Sequence, residues 1–227
     1  MIRRLIVFDW NGTLLSDTIP SWKAANVCLD FYGMTPITLQ RYRETFTFPV
    51  IHFYKLNGCD VDTVLVKKSE ANMIFQNAYE SLAAKSRMRA GGRQILTWLH
   101  KNNIPAIILS NYLTDKIEWQ LKRLGVAQFF EFVSAHDDDG TKILEHTTKT
   151  GRLADYMKAH GYAAENTVII GDTMEEPQIG RDLNVASVGL TDGYITERRL
   201  REAKPAHIIH NLRDLRPLLI QKWGLPS

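Results

Sequence analysis

The sequence has few cysteines, and their placement excludes two kinds of covalent or metal stabilisation. Only Cys28 and Cys59 occur among its 227 residues, and they form neither a CxxC pair nor a Cys/His pattern typical of zinc binding. A disulfide-rich secreted scaffold and a structural zinc site are therefore excluded. We expect both thiols to stay reduced in a cytosolic protein.

Long hydrophobic runs are also missing. Arg3 and Arg4 precede an apolar run that stops at Asp9, far short of a signal peptide's hydrophobic region or a membrane span. The formal net charge is only +3, and no Lys/Arg cluster repeats along a face. We therefore expect a cytoplasmic protein whose partners include neither a membrane nor a nucleic acid.

Internal repeats and low-complexity tracts are absent as well, which excludes solenoids and disordered tails as the main architecture. What is present is a globular composition, with 44% hydrophobic and 23% charged residues. A chain of this length forms one large or two small domains with a packed core. We expect a monomer or a weak homodimer.

The first apolar run, residues 5–8, shows no alternation and predicts a strand that is buried on both faces. It ends at Asp9, and a turn containing Gly12 follows. Open parallel sheets bind ligands at the carboxyl ends of their strands, so Asp9 is a candidate nucleophile or metal ligand. The alternative is an Asp that only caps the next turn.

Helical patterns follow this strand. Ser16, Asp17 and Thr18 offer an N-cap for a helix predicted over residues 19–32. From there to about Lys85 no strong strand signal occurs. Further helical stretches are predicted at residues 39–44, 50–56 and 61–84.

This region is rich in aromatic side chains, and core packing is their expected use. They are Trp22, Phe31, Phe46, Phe53, Tyr54, Phe75 and Tyr79. Residues 41–49 mix cations with aromatics and are followed by His52 and Lys55. This mixture is typical of an anion-recognising pocket and also of a solvated helix face, and we favour the solvated face.

From Ala90 onward, helices and strands alternate. Buried strands are predicted at residues 104–109, 129–133, 167–170 and 185–188. Such alternation implies right-handed crossovers and an α/β fold with a doubly wound parallel sheet. We expect residues 1–15 and 89–227 to form this core and residues 16–88 to form an inserted, all-helical cap.

Three predicted strands end in polar side chains, namely Asp9, Ser110 and Asp172, and Lys149 enters a helix between the last two. Because parallel strands end at one edge of a sheet, this series predicts a single site there. The acidic stretch 137–139 lacks the further ligands of a calcium loop, so we interpret it as a solvated turn.

Four short motifs bracket almost the whole chain. They are Asp9-Trp10-Asn11-Gly12-Thr13-Leu14, Leu109-Ser110-Asn111, Lys149 and Gly171-Asp172-Thr173. In this order they resemble the signature motifs of the haloacid dehalogenase-like hydrolase superfamily, and the first and fourth are the most specific. The helical insertion resembles the α-helical cap of phosphoglycolate phosphatase-type members. The resemblance implies a Mg²⁺-dependent hydrolase that removes phosphate from a small metabolite.

The resemblance also implies a role for each acidic residue. Asp9 would attack phosphorus and form an aspartyl-phosphate, which divides one difficult displacement into two easier ones. A Mg²⁺ ion held by Asp9, Asp172 and the backbone carbonyl of Asn11 would let the two anions meet. Glu176, at the spacing of the family's second acid, or Glu175 would bind waters on that ion.

Neutral and cationic groups would hold the phosphate. Ser110 and nearby backbone amides would bind its oxygens, and Lys149 would neutralise charge on Asp9 and the phosphoryl group. Lys142 is the reserve candidate for this lysine. The implied phosphate-binding residues are Gly12, Thr13, Ser110, Asn111 and Lys149.

Position 11 departs from the family pattern, which commonly has a second Asp there as general acid and base. Asn11 cannot exchange a proton near neutral pH, so this help, worth about 10²- to 10⁴-fold, would be absent. Three interpretations follow. The first is a phosphatase that is slow or acts on substrates whose leaving group needs no proton. The second is a relative of phosphonoacetaldehyde hydrolase in which Lys23 or Lys55 forms a Schiff base, and the third is a weakly catalytic ligand-binding or regulatory protein. We favour the phosphatase.

Overall fold

The computed structural model describes residues 3–137 and 148–226 of the chain. Six strands are present in these ranges. They are β1 (Leu5–Phe8), β2 (Ala106–Leu113), β3 (Phe132–His136), β4 (Thr167–Gly171), β5 (Ala186–Leu190) and β6 (His207–Ile209).

Eleven α-helices are present in the same ranges: five follow β1 directly in the chain, and six more accompany the sheet. The first five are α1 (Thr18–Phe31), α2 (Leu39–Thr45), α3 (Val50–Leu56), α4 (Val61–Val66) and α5 (Lys68–Ala83). The others are α6 (Gly92–Lys101), α7 (Thr114–Leu124), α8 (Lys149–His160), α9 (Glu175–Leu183), α10 (Glu197–Glu202) and α11 (Leu215–Trp223).

The strands form one sheet in the order β3-β2-β1-β4-β5-β6, and every neighbouring pair is parallel. The predicted doubly wound parallel sheet is confirmed. The strand order reverses between β1 and β4, which is where such sheets bind their ligands. Everything placed just after these two strands therefore lies at the centre of the carboxyl edge.

Alternate residues of β1 pack into two different hydrophobic layers, which is why the strand reads as a continuous apolar run. Ile6 and Phe8 contribute to the cluster that contains the apolar faces of α6, α7 and α11. Leu5 and Val7 contribute to the opposite cluster, formed with α8 and α9. The two layers hold β1 rigidly, and with it the backbone of Asp9.

Two strand boundaries differ from the sequence prediction. β2 continues through Ser110 and Asn111 to Leu113, with an irregular register after Leu109, so these polar residues do not follow the strand but lie in its last part. β3 begins at Phe132 instead of residue 129, because residues 127–129 form a turn of 3₁₀ helix. Apolar composition alone did not distinguish that turn from a strand.

The helices α1–α5, which we call the helical insertion, have an apolar cluster of their own. Cys28, Leu29, Tyr42 and Phe53 are buried in it, and Tyr194 joins it from the segment after β5. The predicted helix over 61–84 is in fact two helices, α4 and α5. The division of the chain at residues 16 and 88 into two domains stays a prediction.

Within the described parts of the chain, every helix falls short of the length and hydrophobicity that crossing a bilayer requires.

The chain returns from the helical insertion to the sheet through Gly91, whose backbone is left-handed with φ +86°. A Cβ atom at this position would lie 2.4 Å from the backbone nitrogen of Arg213. Gly33 has a similar φ of +78°, but nothing lies within 4 Å of the position of its missing Cβ. Both glycines thus have a left-handed backbone that would be strained in any other residue, but only Gly91 has another backbone segment close by.

We expect Gly91→Ala to destabilise the protein more than Gly33→Ala. Both variants pay for a left-handed alanine, about 1 kcal/mol, but only the first also forces the backbone near Arg213 to move, which adds roughly 1–3 kcal/mol. Urea denaturation of the two variants and the wild type measures the difference. Equal losses at the two positions would show that the close approach at Gly91 is not a constraint.

Candidate active site

Two carboxylates lie at the reversal point of the sheet. Asp9 follows β1 and Asp172 follows β4, and both are buried. Thr13 lies between them: its hydroxyl is 2.7 Å from Asp172 Oδ1 and 3.3 Å from Asp9 Oδ2. The two acids therefore share one hydroxyl. The sequence predicted that both lie at one edge of the sheet, but it did not predict this shared contact. Thr13, predicted to bind phosphate, is engaged with these acids.

Asp172 is held tightly by backbone. Its Oδ2 accepts a hydrogen bond of 2.7 Å from the amide of Tyr194. Cβ atoms at Gly12 and Gly193 would lie only 2.3 Å and 2.1 Å from this oxygen. Both positions must therefore be glycine for the carboxylate to fit, and this packing requirement is a reason for the glycine of the first motif.

Lys149 is the cation of the site and is 2% exposed. Its Nζ lies 2.8 Å from Asp9 Oδ1, 2.8 Å from Glu176 Oε1 and 3.2 Å from Glu175 Oε2. It is also the first residue of α8. The structure thus brings Lys149 to Asp9, whereas Lys142, the reserve candidate, lies outside the described residues, as do Asp138 and Asp139.

The carboxylates outnumber the cation, and the pKa values reflect this excess of negative charge. Burial raises the pKa of Asp9 well above its ordinary value, against the opposing effect of Lys149. Burial also raises the pKa of Asp172 to about 7, although the hydrogen bonds from Tyr194 and Thr13 act in the other direction. An additional positive charge at this point would stabilise both carboxylates.

The pKa values of Lys149 and Glu176 are shifted in the directions that favour their charged forms. Burial acts to lower the pKa of Lys149, but the charges of Asp9, Glu175 and Glu176 outweigh it, and the pKa stands well above its usual range. Burial also acts to raise the pKa of Glu176, and here the Lys149 charge outweighs it, so the pKa is lowered. Lys149 and Glu176 therefore form a buried ion pair.

The set of atoms at Asp9 and Asp172 fits Mg²⁺, which commonly takes one or two carboxylates and completes its coordination with other oxygens and waters. The backbone carbonyl of Asn11 is the predicted third donor. The oxygens of Glu176 accept hydrogen bonds from Lys149 and Thr173, and its role toward waters on the metal ion stays a prediction. In residues 3–137 and 148–226 no three His, Cys, Asp or Glu side chains are grouped as metal ligands.

Ser110 and Asn111 lie beside this site in the last part of β2, and both are buried. The Ser110 hydroxyl accepts a 3.0 Å hydrogen bond from the amide of Tyr112, and its carbonyl accepts one of 2.7 Å from Arg152. Asn111 donates to Glu175 over 2.7 Å. The sequence did not single out Arg152, which fixes the backbone of Ser110 from helix α8.

A further buried carboxylate, Asp17, organises the other side of the site. It accepts hydrogen bonds from the Gly12 amide at 2.7 Å, the Asn11 side chain at 2.8 Å, the Tyr79 hydroxyl at 2.5 Å and the Tyr194 hydroxyl at 2.9 Å. Asp17 is the N-cap residue of α1, within the stretch predicted to cap this helix, but its side chain makes no cap hydrogen bond. The loop amide and the two tyrosines take its oxygens instead.

Asn11 is held by the same network. Its amide nitrogen donates to Asp17 Oδ2 and to the Tyr79 hydroxyl over 2.8 Å and 2.7 Å. The Asp17 carboxylate accepts hydrogen bonds, and the Tyr79 hydroxyl gives its own hydrogen to Asp17, so the amide presents its nitrogen to both. One amide hydrogen is committed to Asp17 and the other to Tyr79. The Gly12 amide, predicted to contact phosphate, is likewise engaged by Asp17.

A cavity of about 120 Å³ opens beside Asp9, Ser110 and Lys149 and extends between the sheet edge and the helical insertion. Nine of the described residues that line it are aromatic. They are Tyr42, Phe46, Phe48, Phe53, Tyr54, Phe75, Tyr79, Tyr112 and Tyr194. The sequence predicted several of these as core residues; in the structure they pack into the insertion and also form the cavity wall.

The cations of the 41–55 stretch do not line this cavity. Arg41 donates to Asn57 and to the carbonyl of Leu56 near the surface, and Arg43 donates to the carbonyls of Gly193 and Asp192. His52 and Lys55 are exposed. Aromatics thus face the cavity and cations face solvent or backbone, which agrees with the solvated face that we favoured.

Comparison with known proteins identifies related chains over most of the length. A family model described as haloacid dehalogenase-like hydrolase matches residues 3–181. A phosphoglycolate phosphatase of Pseudomonas fluorescens (strain Pf0-1) is 27% identical over 220 residues, which cover 94% of this chain and 79% of that protein. Phosphoglycolate phosphatase 1 of Pseudomonas aeruginosa is 24% identical over 219 residues, with the same coverage.

Solved structures share the fold at lower identity. A predicted phosphatase from Clostridium acetobutylicum superposes with a TM-score of 0.81 and 16% identity, over 97% of this chain and 100% of that one. A putative phosphoglycolate phosphatase from Lactobacillus delbrueckii superposes with a TM-score of 0.75 and 16% identity, over 96% and 99% of the two chains. At these identities the match supports the fold alone.

We expect Asp17→Asn to lower the free energy of unfolding by about 2–4 kcal/mol, because an amide offers one acceptor oxygen to four donors and leaves some of them unpaired. Chemical denaturation measures the loss. Asp30→Asn, at an exposed position of α1, is the matched control and should change stability by less than about 0.5 kcal/mol. An Asp17→Asn variant as stable as this control would contradict the network.

Proposed function

The chain belongs to the haloacid dehalogenase-like hydrolase family, and on that premise we propose that it is a Mg²⁺-dependent phosphatase acting on a small phosphorylated metabolite. The observation that carries the proposal is the contact of buried Lys149 with Asp9, at 2.8 Å, beside a second carboxylate that shares the Thr13 hydroxyl. The relatives named as phosphoglycolate phosphatases support the same reaction class.

Asp9 is the proposed nucleophile. Its carboxylate attacks phosphorus, the bond from phosphorus to the ester oxygen breaks, and the phosphoryl group is transferred to Asp9 before water releases it. Phosphoryl transfer asks the protein mainly for positioning and charge neutralisation. Lys149 supplies part of that charge, and a Mg²⁺ held by Asp9, Asp172 and the Asn11 carbonyl would supply the remainder.

Ser110 and the backbone amides around it are proposed to bind the phosphate oxygens. Arg152 keeps the Ser110 backbone in place through the carbonyl. Residues 16–88 would act as the cap that closes over the substrate and excludes bulk water, with hinges near residues 15–18 and 86–91. Two contacts lie at these hinges: the Ser16 amide donates to the Arg87 carbonyl, and Arg89 donates to the Gly12 carbonyl.

The phosphonoacetaldehyde hydrolase reading is not supported by the cavity. That chemistry needs a cap lysine that reaches the substrate carbonyl. Lys23 and Lys55 are both exposed, and of the described residues only Lys149 brings an ammonium group to the cavity wall. Because Lys149 contacts three carboxylates, its amine stays protonated and is a poor nucleophile.

We expect Asp9→Asn to abolish phosphate release from phosphate esters, with a loss of at least about 10³-fold, because an amide cannot attack phosphorus. Chelation of divalent cations should abolish it too, and added Mg²⁺ should restore it. Asp115→Asn is the matched control, since this carboxylate is 73% exposed on α7. Ligand binding without turnover by the wild type would favour the regulatory reading.

Asn11→Asp is expected to increase turnover of alkyl phosphates by about 10- to 100-fold, because it restores an acid at the leaving oxygen. The new carboxylate would lie against Asp17, where wild-type nitrogen and oxygen are 2.8 Å apart, so one of the two must hold a proton. Steady-state kinetics with ethyl phosphate measures the gain.

The double variant Asn11→Asp/Asp17→Asn exchanges the amide and the carboxylate across the same contact. It should keep the gain in turnover and recover part of the stability that Asn11→Asp loses, whereas Asp17→Asn alone should give no gain. A folded Asn11→Asp enzyme with unchanged kcat would refute the assigned effect of position 11.

A further inference from the structure

The cavity beside Asp9 has the size and lining of a site for a ring. Its volume of about 120 Å³ is comparable to that of apolar protein cavities that bind benzene, about 150 Å³. Phe46, Phe53 and Tyr54 are almost completely buried in its wall, and Phe75 stacks on Tyr79 with ring centroids 5.6 Å apart. Aromatic rings in such clusters favour another ring at stacking or edge-to-face distances.

The tyrosine hydroxyls of this wall are used within the protein. Tyr79 and Tyr194 donate to Asp17, Tyr42 is 2.9 Å from the Ser21 hydroxyl, and Tyr112 donates to Glu80. Four of the five tyrosines that line the cavity thus have their hydroxyls engaged, and four phenylalanines add rings without polar atoms. The wall therefore presents mainly carbon to a ligand.

The cavity offers no counter-ion for a second negative charge on the substrate. Of the lining residues in the described parts of the chain, Asp9 and Lys149 are the ones with charged side chains, and Lys149 already contacts three carboxylates. The neutral amides of Asn72 and Gln76 also line it. A carboxylate placed among these rings would lose its hydration without gaining a cation, which is unfavourable.

Position 11 restricts the leaving group independently. Asn11 carries no exchangeable acid, and both its amide hydrogens are committed to Asp17 and Tyr79. Phosphoryl transfer has a loose transition state in which the leaving oxygen carries much of the charge. A phenol, with an acidity like that of tyrosine at about 10, leaves without a proton far more easily than an alkoxide.

We propose that the substrate of this enzyme is a phosphate monoester of an uncharged phenol, with the aromatic ring in the cavity and the phosphate at Asp9. This inference rests on the proposed phosphatase function and narrows its substrate class. It separates this chain from relatives named for phosphoglycolate, whose leaving group is a carboxylate-bearing alkoxide.

The reaction balances without any further reactant. An Asp9 oxygen forms a bond to phosphorus, the phosphorus–oxygen bond to the ring breaks, and its electron pair stays on the phenolate oxygen. Water then attacks the phosphorus atom, and the bond from phosphorus to the Asp9 oxygen breaks. The products are the Asp9 carboxylate and inorganic phosphate. The phenolate takes its proton from solvent after release, so no residue has to act as a general acid.

Four esters test the proposal with the wild-type enzyme and Mg²⁺: phenyl, cyclohexyl and ethyl phosphate, and phosphoglycolate. We expect kcat/KM for phenyl phosphate to exceed that for phosphoglycolate by at least about 100-fold. Cyclohexyl phosphate, which has a similar size but a poor leaving group, should have a kcat/KM at least about 10-fold below that of phenyl phosphate, because this ratio reports the transfer to Asp9 and not the hydrolysis step that all four esters share. Ethyl phosphate should show a KM about 10- to 100-fold higher, because it does not fill the cavity.

A charge variant tests the cavity itself. Val50 lines it, whereas Val66 is 85% exposed, so Val50→Arg and Val66→Arg make the same change inside and outside the site. Val50→Arg should lower kcat/KM for phenyl phosphate and raise it for phosphoglycolate, and Val66→Arg should change neither. This shift in preference is a ratio within one variant, so a loss of folded enzyme does not imitate it.

The outcomes distinguish a wrong substrate class from a wrong enzymatic function. If phosphoglycolate is the better substrate by kcat/KM, or if cyclohexyl and phenyl phosphate have equal kcat/KM, the aryl inference is wrong and the phosphatase function stands. If no ester releases phosphate in a reaction that Asp9→Asn abolishes, the proposed function fails, and the substrate inference fails with it.

Discussion

The structure depends on compensating the negative charge of several carboxylates that are buried close together. Asp9, Glu175 and Glu176 surround the single ammonium of Lys149, and Asp172 lies beyond the Thr13 hydroxyl. Charges of one sign in a buried site repel strongly, because little solvent screens them. Each acid is therefore held by specific donors, and the proposed Mg²⁺ would offset the negative charge that remains at Asp9 and Asp172.

Another buried carboxylate, that of Asp17, links the site to the helical insertion. Asp17 joins the loop after β1, through Gly12, to Tyr79 of helix α5 and Tyr194 after β5. Three segments that are far apart in the chain thus meet on one side chain. The network holds Asn11 and also forms one wall of the aromatic cavity, so the geometry near the nucleophile and the shape of the substrate site are coupled.

The sequence predicted correctly those features of the fold and site that follow from local patterns of apolar and polar residues. The unbroken apolar run before Asp9 and the alternation of helices and strands after Ala90 predicted the parallel sheet, and strand-end placement predicted that Asp9 and Asp172 meet. It failed where two local patterns look alike. Residues 129–133 have a strand-like composition, yet 3₁₀ geometry delays β3, and Asp17 is the N-cap residue of α1 but its side chain makes no cap hydrogen bond.

By itself the sequence determined the order of the elements, the central pair of acids and the identity of the buried lysine, because periodicity, strand ends and motif spacing are local properties of the chain. Only the tertiary structure decided that Thr13 bridges those acids, that Glu176 pairs with Lys149, and that aromatic residues from distant helices form one cavity. These contacts include residues 159 positions apart, Thr13 and Asp172. Their geometry arises from packing, which no local pattern specifies.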